Sequence, residues 1–227
     1  FAMPALEGER VERHERWFAS RPDFVDRMAE RGGHFFYHFV EEAERRGLPL
    51  ELARLPVSES ARNPQAVSPV GAAGIWQFMP ATGRHFELHQ NLFRDDRRDV
   101  LASTQAALDY LSRLHHTFGD WHLALAAYNW GTGNVQRAIR RNRAAGLPTD
   151  FANLRMPAET RNYVPKLLAL SNIVADPQRF GLTLRPLLNR PFFLAVPIER
   201  DIDVELVIRL ADISAEQFRQ LNPQFNK

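Results

Sequence analysis

Apolar residues recur every three or four positions along most of this chain, and the breaks fall at glycine, proline and capping residues. That period is the signature of amphipathic helices. Pro22 suits the first position of a helix from Asp23 that Gly32-Gly33 would end. A second helix carries Phe35, Phe36, Phe39, Val40 and Ala43 on one stripe and stops at Gly47. Pro49 opens a helix running through Glu59, and the Pro-, Ser- and Gly-rich stretch 63–74 reads as a loop leading to a short helix. The clearest long helix spans Asp99 to Phe118, with Val100, Ala107, Leu108, Leu111 and Leu114 on one side. Asp120 caps the next, which delivers Tyr128 and Asn129 before Gly131. A basic helix over 134–145 ends at Gly146, and a last one spans Ala158 to Ala175 with a bend near Pro165.

Near residue 180 the pattern changes. The run Arg190-Pro191-Phe192-Phe193-Leu194-Ala195-Val196 has strand length and is bounded by prolines. Two short helices follow, the second opened by the capping-box sequence Ser214-Ala215-Glu216-Gln217 and ended at Leu221-Asn222-Pro223. The expected organisation is a helical scaffold over 1–47, a main helical domain over 48–180 and a small appendage over 181–227. The fold class is mainly α, with an α+β appendage.

Composition narrows the functional classes. The chain has 227 residues, 44% hydrophobic and 25% charged, which suits one large domain with a small appendage. No apolar run approaches the roughly 18 residues a membrane span needs. The start Phe1-Ala2-Met3-Pro4 is not a natural one, so the chain reads as a trimmed piece, with any export signal or lipid anchor upstream. A net charge of +2 falls well short of a nucleic-acid footprint. The absence of cysteine excludes disulfides, thiol catalysis and cysteine-based metal sites. None of the eight histidines falls in a metalloprotease-type motif, so no metal and no other cofactor is expected.

The chemistry centres on Glu59. After it no acidic residue occurs until Glu87, and the intervening stretch holds Gly74-Ile75-Trp76-Gln77-Phe78-Met79-Pro80. Ala127-Tyr128-Asn129 and Glu159-Thr160-Arg161-Asn162-Tyr163-Val164-Pro165 follow. A lone carboxylate, a glutamine, a tyrosine–asparagine pair and a second tyrosine suit a site that protonates a sugar ether while hydrogen-bonding amides. Gln77 offers both a donor and an acceptor, as an acetamido group requires. Ser60 is placed to bond the glutamate or the substrate, unless its hydroxyl serves the backbone. Glu159 lies one helical turn before Tyr163, so both can face one cleft. Trp76 and Trp130 are either sugar-stacking rings or core.

The order and wording of these blocks, over roughly residues 48–176, resemble the lytic transglycosylases of family 1, the soluble-lytic-transglycosylase-like domain. The resemblance implies a lysozyme-like helical fold and cleavage of the β-1,4 bond between N-acetylmuramic acid and N-acetylglucosamine. It implies Glu59 as acid and then base, leaving a 1,6-anhydro sugar. Tyr128 then matches the tyrosine beside the acid, Asn129 the residue that helps hold the substrate, and Tyr163 the ring on a sugar face. The implied partner is the peptidoglycan glycan strand on the periplasmic side of a bacterial envelope. A monomer is expected, anchored to the outer membrane only through a lipid on an upstream segment. The tail resembles the small extension of the family's membrane-bound D-type members, which looks like a degenerate peptidoglycan-binding LysM unit. A structural plug is the alternative.

Two other readings stay open. A lysozyme-type hydrolase would use Glu59 with a water nucleophile and would need a second carboxylate. A non-catalytic glycan-binding protein would keep the cleft without turnover. One departure from related sequences bears on the second: Arg54, Ser58 and Arg62 stand where bulky apolar residues are usual. Their four-residue spacing predicts a stripe at solvent, or against Glu41, Glu42 or Glu44.

Overall fold

A computed structural model describes residues 2–59, 67–187 and 189–226; the side chains of Arg31 and Glu59 are outside that description. Helices α1 (Glu9–Ala19), α2 (Pro22–Arg45), α3 (Leu55–Glu59), α4 (Pro80–His85) and α5 (Val100–Phe118) come first. They are followed by α6 (Trp121–Trp130), α7 (Thr132–Ala144), α8 (Ala158–Ala175), α9 (Val204–Ala211) and α10 (Ala215–Leu221). The fold is mainly α, and β structure among the described residues is limited to isolated bridges. No helix is long and apolar enough to cross a membrane among the described residues.

The capping residues act as the sequence implies. Asp99 accepts from the Ala102 amide at 2.8 Å and Asp120 from the Leu123 amide at 2.8 Å. Ser214 and Gln217 close the capping box at the start of α10. Each satisfies amides that would otherwise lack a partner in the first turn.

The first expected break is absent. Residues Pro22–Arg45 form one helix through Gly32-Gly33. Tertiary packing is the reason: a Cβ built on Gly32 would fall 2.8 Å from Val57 Cγ2. Glycine costs helix stability but lets α3 lie directly on α2. The main core joins Phe35, Phe39 and Ala43 of α2 to Leu52, Trp76, Leu108, Leu125 and Leu167. A second cluster joins Val11 and Phe18 of α1 and Val25 of α2 to Val57 and, on α8, Leu170 and Ile173. Val57, two residues before Glu59, is thus gripped from three helices.

The segment before Glu59 also differs from a continuous α-helix. Leu50–Arg54 is a 3₁₀ turn that passes into α3 at Leu55. Ser58 is buried, and its hydroxyl donates to the Leu55 carbonyl at 2.9 Å. A hydroxyl that satisfies itself locally is cheap to bury. Arg54 is half-buried, with an Nε that has no hydrogen-bond partner. Burial pulls its guanidinium below the usual value, against the raising influence of Glu51. The expected stripe is therefore corrected: Ser58 is interior, Arg54 is half-buried, and the carboxylate acting on it is Glu51 rather than Glu41, Glu42 or Glu44. Glu42 is occupied by Arg45, at 2.7 Å, and by Arg46. Arg62 lies outside the described residues.

The strand expected over 190–196 is also absent. An apolar run needs a neighbouring strand to pair its backbone, and none is offered among the described residues. Instead Phe193 packs on Phe35 at 5.7 Å and Phe192 stacks on His34 at 3.9 Å, while Leu194 is 85% exposed. The end of the tail is pinned to the loop before α5: the Asp95 amide donates to the Gln224 carbonyl and the Asn226 amide to the Phe93 carbonyl, both at 2.9 Å.

Candidate active site

Glu59 is the last residue of α3, held where α2 and α8 meet. The Lys166 ammonium of α8 donates to the Ser58 carbonyl at 3.0 Å. A charged donor on the last carbonyls of a helix complements their partial negative charge. Ser60, like the Glu59 side chain, lies outside the described residues.

Gln77 sits in a tight turn. Ala73 and Phe78 exchange backbone hydrogen bonds at 3.0 Å, and Gln77 adopts a left-handed φ of 52°. Such strain persists only where surroundings enforce it. Here a Cβ on Gly74 would lie 1.8 Å from the Arg97 carbonyl oxygen, so only glycine fits. Buried Arg97 clasps the turn, donating to the Gly71 carbonyl at 2.7 Å and the Phe78 carbonyl at 3.1 Å. The Gln77 side-chain Nε2 donates to the Gly74 carbonyl at 2.7 Å.

Tyr128 links α6 to this turn. Its hydroxyl donates to the Trp76 carbonyl at 2.9 Å, one residue from Gln77. Burial, reinforced by Tyr163 and Tyr110, pushes its phenol well above the usual value, so it acts as a neutral donor. Asn129 reaches α8: its Nδ2 donates to Glu159 at 3.2 Å, and its Oδ1 accepts from the Thr160 hydroxyl at 2.8 Å. Glu159 is exposed in the first turn of α8, where a negative charge suits the helix N-terminus. Tyr163, half-buried on α8, packs against the same core as Tyr128 and acts electrostatically on its phenol.

Gln77, Tyr128, Asn129, Glu159 and Tyr163 are thus joined through α6, α8 and the 74–77 turn, and Lys166 ties the same α8 to the end of α3. Trp76 resolves as core: it is 3% exposed and its indole donates to Thr104 at 2.9 Å. Trp130 stays half-buried at the end of α6. Sequence reasoning overlooked Lys166, Thr160 and Arg97. The signal for Lys166 was present, because it follows Tyr163 by three positions and interrupts an otherwise apolar half-helix. A separate concavity of about 340 Å³ between the start of α1 and Phe151 involves none of these residues.

Residues 36–149 match the family model described as the transglycosylase SLT domain. The chain is 38% identical over 221 residues to membrane-bound lytic murein transglycosylase D of Escherichia coli K12, covering 97% of this chain and 49% of that protein. It is 32% identical over 116 residues to the soluble lytic murein transglycosylase of the same strain, covering 49% of this chain and 18% of that one. A solved lytic transglycosylase Slt from Pseudomonas aeruginosa, an inactive mutant, overlays with a TM-score of 0.49 at 28% identity. That overlay covers 66% of this chain and 25% of the other, too partial to define the fold. The chain spans about half the length of the D-type relative it matches. On the family match, which takes in the end of α3, the 74–77 turn and α5 to α7, this chain belongs to the transglycosylase SLT domain family.

Proposed function

We propose that this chain is a peptidoglycan lytic transglycosylase that cleaves the β-1,4 bond between N-acetylmuramic acid and N-acetylglucosamine. Glu59 protonates the glycosidic oxygen as that bond breaks and positive charge develops at the muramoyl C1. The resulting carboxylate then takes the proton of the muramoyl C6 hydroxyl, whose oxygen attacks C1 and closes a 1,6-anhydro ring. No water is consumed: the leaving sugar keeps the proton it received, and the C6 hydroxyl proton restores the Glu59 carboxyl. One group therefore serves as acid and base, as a site offering a single catalytic carboxyl requires.

Ser60, Gln77, Tyr128, Asn129, Glu159 and Tyr163 hold the glycan in this reading. The strained Gln77 turn presents a carboxamide to an N-acetyl group, and Asn129 with Glu159 binds sugar hydroxyls. Tyr128, kept neutral, steadies the turn through Trp76. The observation that carries the reading is the family match, whose relatives are named as murein transglycosylases. We place the protein on the periplasmic side of a bacterial envelope, as a monomer whose membrane attachment, where it exists, comes from a lipid anchor on an upstream segment. In the same reading, residues 1–47 are a scaffold, 48–180 the catalytic domain and 181–227 an extension that plugs onto it.

Mass analysis of products from purified peptidoglycan tests the reaction. Anhydromuramoyl ends are expected. Reducing ends would replace the proposal with hydrolysis, and no released product with a binding protein.

A further inference from the structure

A hydroxyl inside a helix usually bonds the carbonyl four residues back. Thr104, Ser112 and Thr117 on α5 all do so, at 2.6, 2.9 and 2.9 Å. Thr160 does not. It stands in the first turn of α8, where the residue four back, Met156, lies outside the helix. Thr160 is 2% exposed, and its hydroxyl crosses to α6 to donate to Asn129 Oδ1 at 2.8 Å.

Asn129 is held at both ends of its amide. Its Nδ2 donates to the Glu159 carboxylate at 3.2 Å. A carboxylate only accepts, so the end of the amide that meets Glu159 has to be the NH2 group. The other end is then the oxygen, which needs a donor, and the Thr160 hydroxyl is that donor. A hydroxyl alone would serve either orientation of the amide, because it both donates and accepts. Glu159 alone would leave the oxygen without an anchor. Two consecutive residues of α8 therefore fix both which way Asn129 faces and where it stands. A side-chain amide has two N–H donors and two acceptor lone pairs. One of each is used on α8, which leaves one N–H and one lone pair for a ligand.

We infer that Thr160 is a positioning residue of the glycan site: its hydroxyl holds the Asn129 amide in one place and orientation, with the remaining N–H and lone pair presented to the sugar. The inference deepens the glycan reading above and rests on it. Thr160 is covered and touches no substrate; it acts through Asn129. Glu159 takes on a second task in the same arrangement, since its carboxylate decides which end of the amide is the donor. A hydrogen bond of this kind contributes modestly, so its loss should show as a factor of about three to ten.

The test is a double-mutant cycle on soluble glycan strands, read as kcat/KM. Thr160→Val keeps the shape of the side chain and removes the hydroxyl, whereas Thr160→Ser keeps the hydroxyl. Thr160→Val should lower kcat/KM about threefold to tenfold, and Thr160→Ser should stay within about twofold of the wild type. In an Asn129→Ala background, Thr160→Val should have no further effect, because nothing is left for it to position. Should Thr160→Val fail to fold, Thr160→Ala against Thr160→Ser repeats the comparison, since those two differ only by the hydroxyl. Wild-type kcat/KM without the hydroxyl, losses that add in the double variant, or a serine variant as impaired as the valine one would each overturn the inference. Fluorescence anisotropy of labelled strands follows the same cycle in Kd, without turnover. A wild type that gives reducing ends or only binds would replace the lyase, and a Kd cycle that still couples Thr160 to Asn129 would keep the positioning role. A wild type that neither cleaves nor binds the strands would overturn both.

Discussion

Gly32 and Val57 lie so close that a methyl group on Gly32 would fall 2.8 Å from Val57 Cγ2 and 3.1 Å from Cγ1. Val57 is branched at Cβ and gripped by its core, so it cannot swing aside. Gly32→Ala sets a helix-propensity gain of about 1 kcal/mol against an overpacking cost of about 1–3 kcal/mol. A net loss of up to about 2 kcal/mol in denaturant unfolding is expected. Gly33→Ala is the control. Its nearest neighbour is the end of the half-exposed Leu187 side chain at 3.2 Å, which can yield. That variant should be neutral or stabilised by up to about 1 kcal/mol. Equal effects would show that the approach of α3 to α2 is not what demands glycine at position 32.

Lys166 binds the Ser58 carbonyl across 108 residues of sequence. Removing the ammonium in Lys166→Met should cost about 1–2 kcal/mol of stability. It should also lower kcat more than it raises KM, because Lys166 positions the end of α3 instead of contacting the glycan. Lys166→Arg should restore part of kcat, as a cation of similar reach. An unchanged kcat in Lys166→Met would make the contact purely structural.

The caps and the apolar stripes were legible in the sequence because they are local. Asp99, Asp120, Ser214 and the stripe through Leu108 and Leu111 need only their own helices. Two of the misreadings originate in long-range packing and the third in local helix geometry. Gly32-Gly33 has the local form of a helix stop, yet Val57 requires those glycines inside a helix. Phe192 to Val196 has the composition of a strand, yet Phe193 finds its partner in Phe35 on α2 instead of a neighbouring strand. Arg54 and Ser58 share a face only if α-helical geometry runs unbroken, and the 3₁₀ turn before Leu55 ends that relation. At the site, Gln77, Tyr128, Asn129, Glu159 and Tyr163 were nameable from their motif blocks. The links among them were not, because the Trp76 carbonyl, Thr160 and Lys166 act through geometry rather than through a recognisable pattern.

His38 gives the fold a pH dependence. Its Nε2 is buried without a hydrogen-bond partner, between edge contacts to Phe39 and Phe193. Burial lowers its pKa from the ordinary 6.5; Glu42 and Glu41 oppose this, and Arg45 and Arg46 add to it. The unfolded chain therefore takes up this proton at higher pH than the folded one. Stability should fall as pH drops below about 6.5 and level off below the folded pKa. His14, also lowered mainly by burial, contributes with the same sign. In thermal melts between pH 7 and pH 5, His38→Phe should lose less stability than the wild type. An identical slope would remove His38 from the account.

The central claim is that one carboxyl, Glu59, both gives and takes the proton. Glu59→Gln keeps the side-chain shape but has no proton to transfer at neutral pH. The decisive measurement is the rate of anhydromuropeptide release from purified peptidoglycan by this variant, alongside its binding to glycan strands. Release should fall by at least about 10²–10⁴, the range that acid–base catalysis contributes. Binding should persist. Near-wild-type release of anhydro products by Glu59→Gln would contradict the account outright.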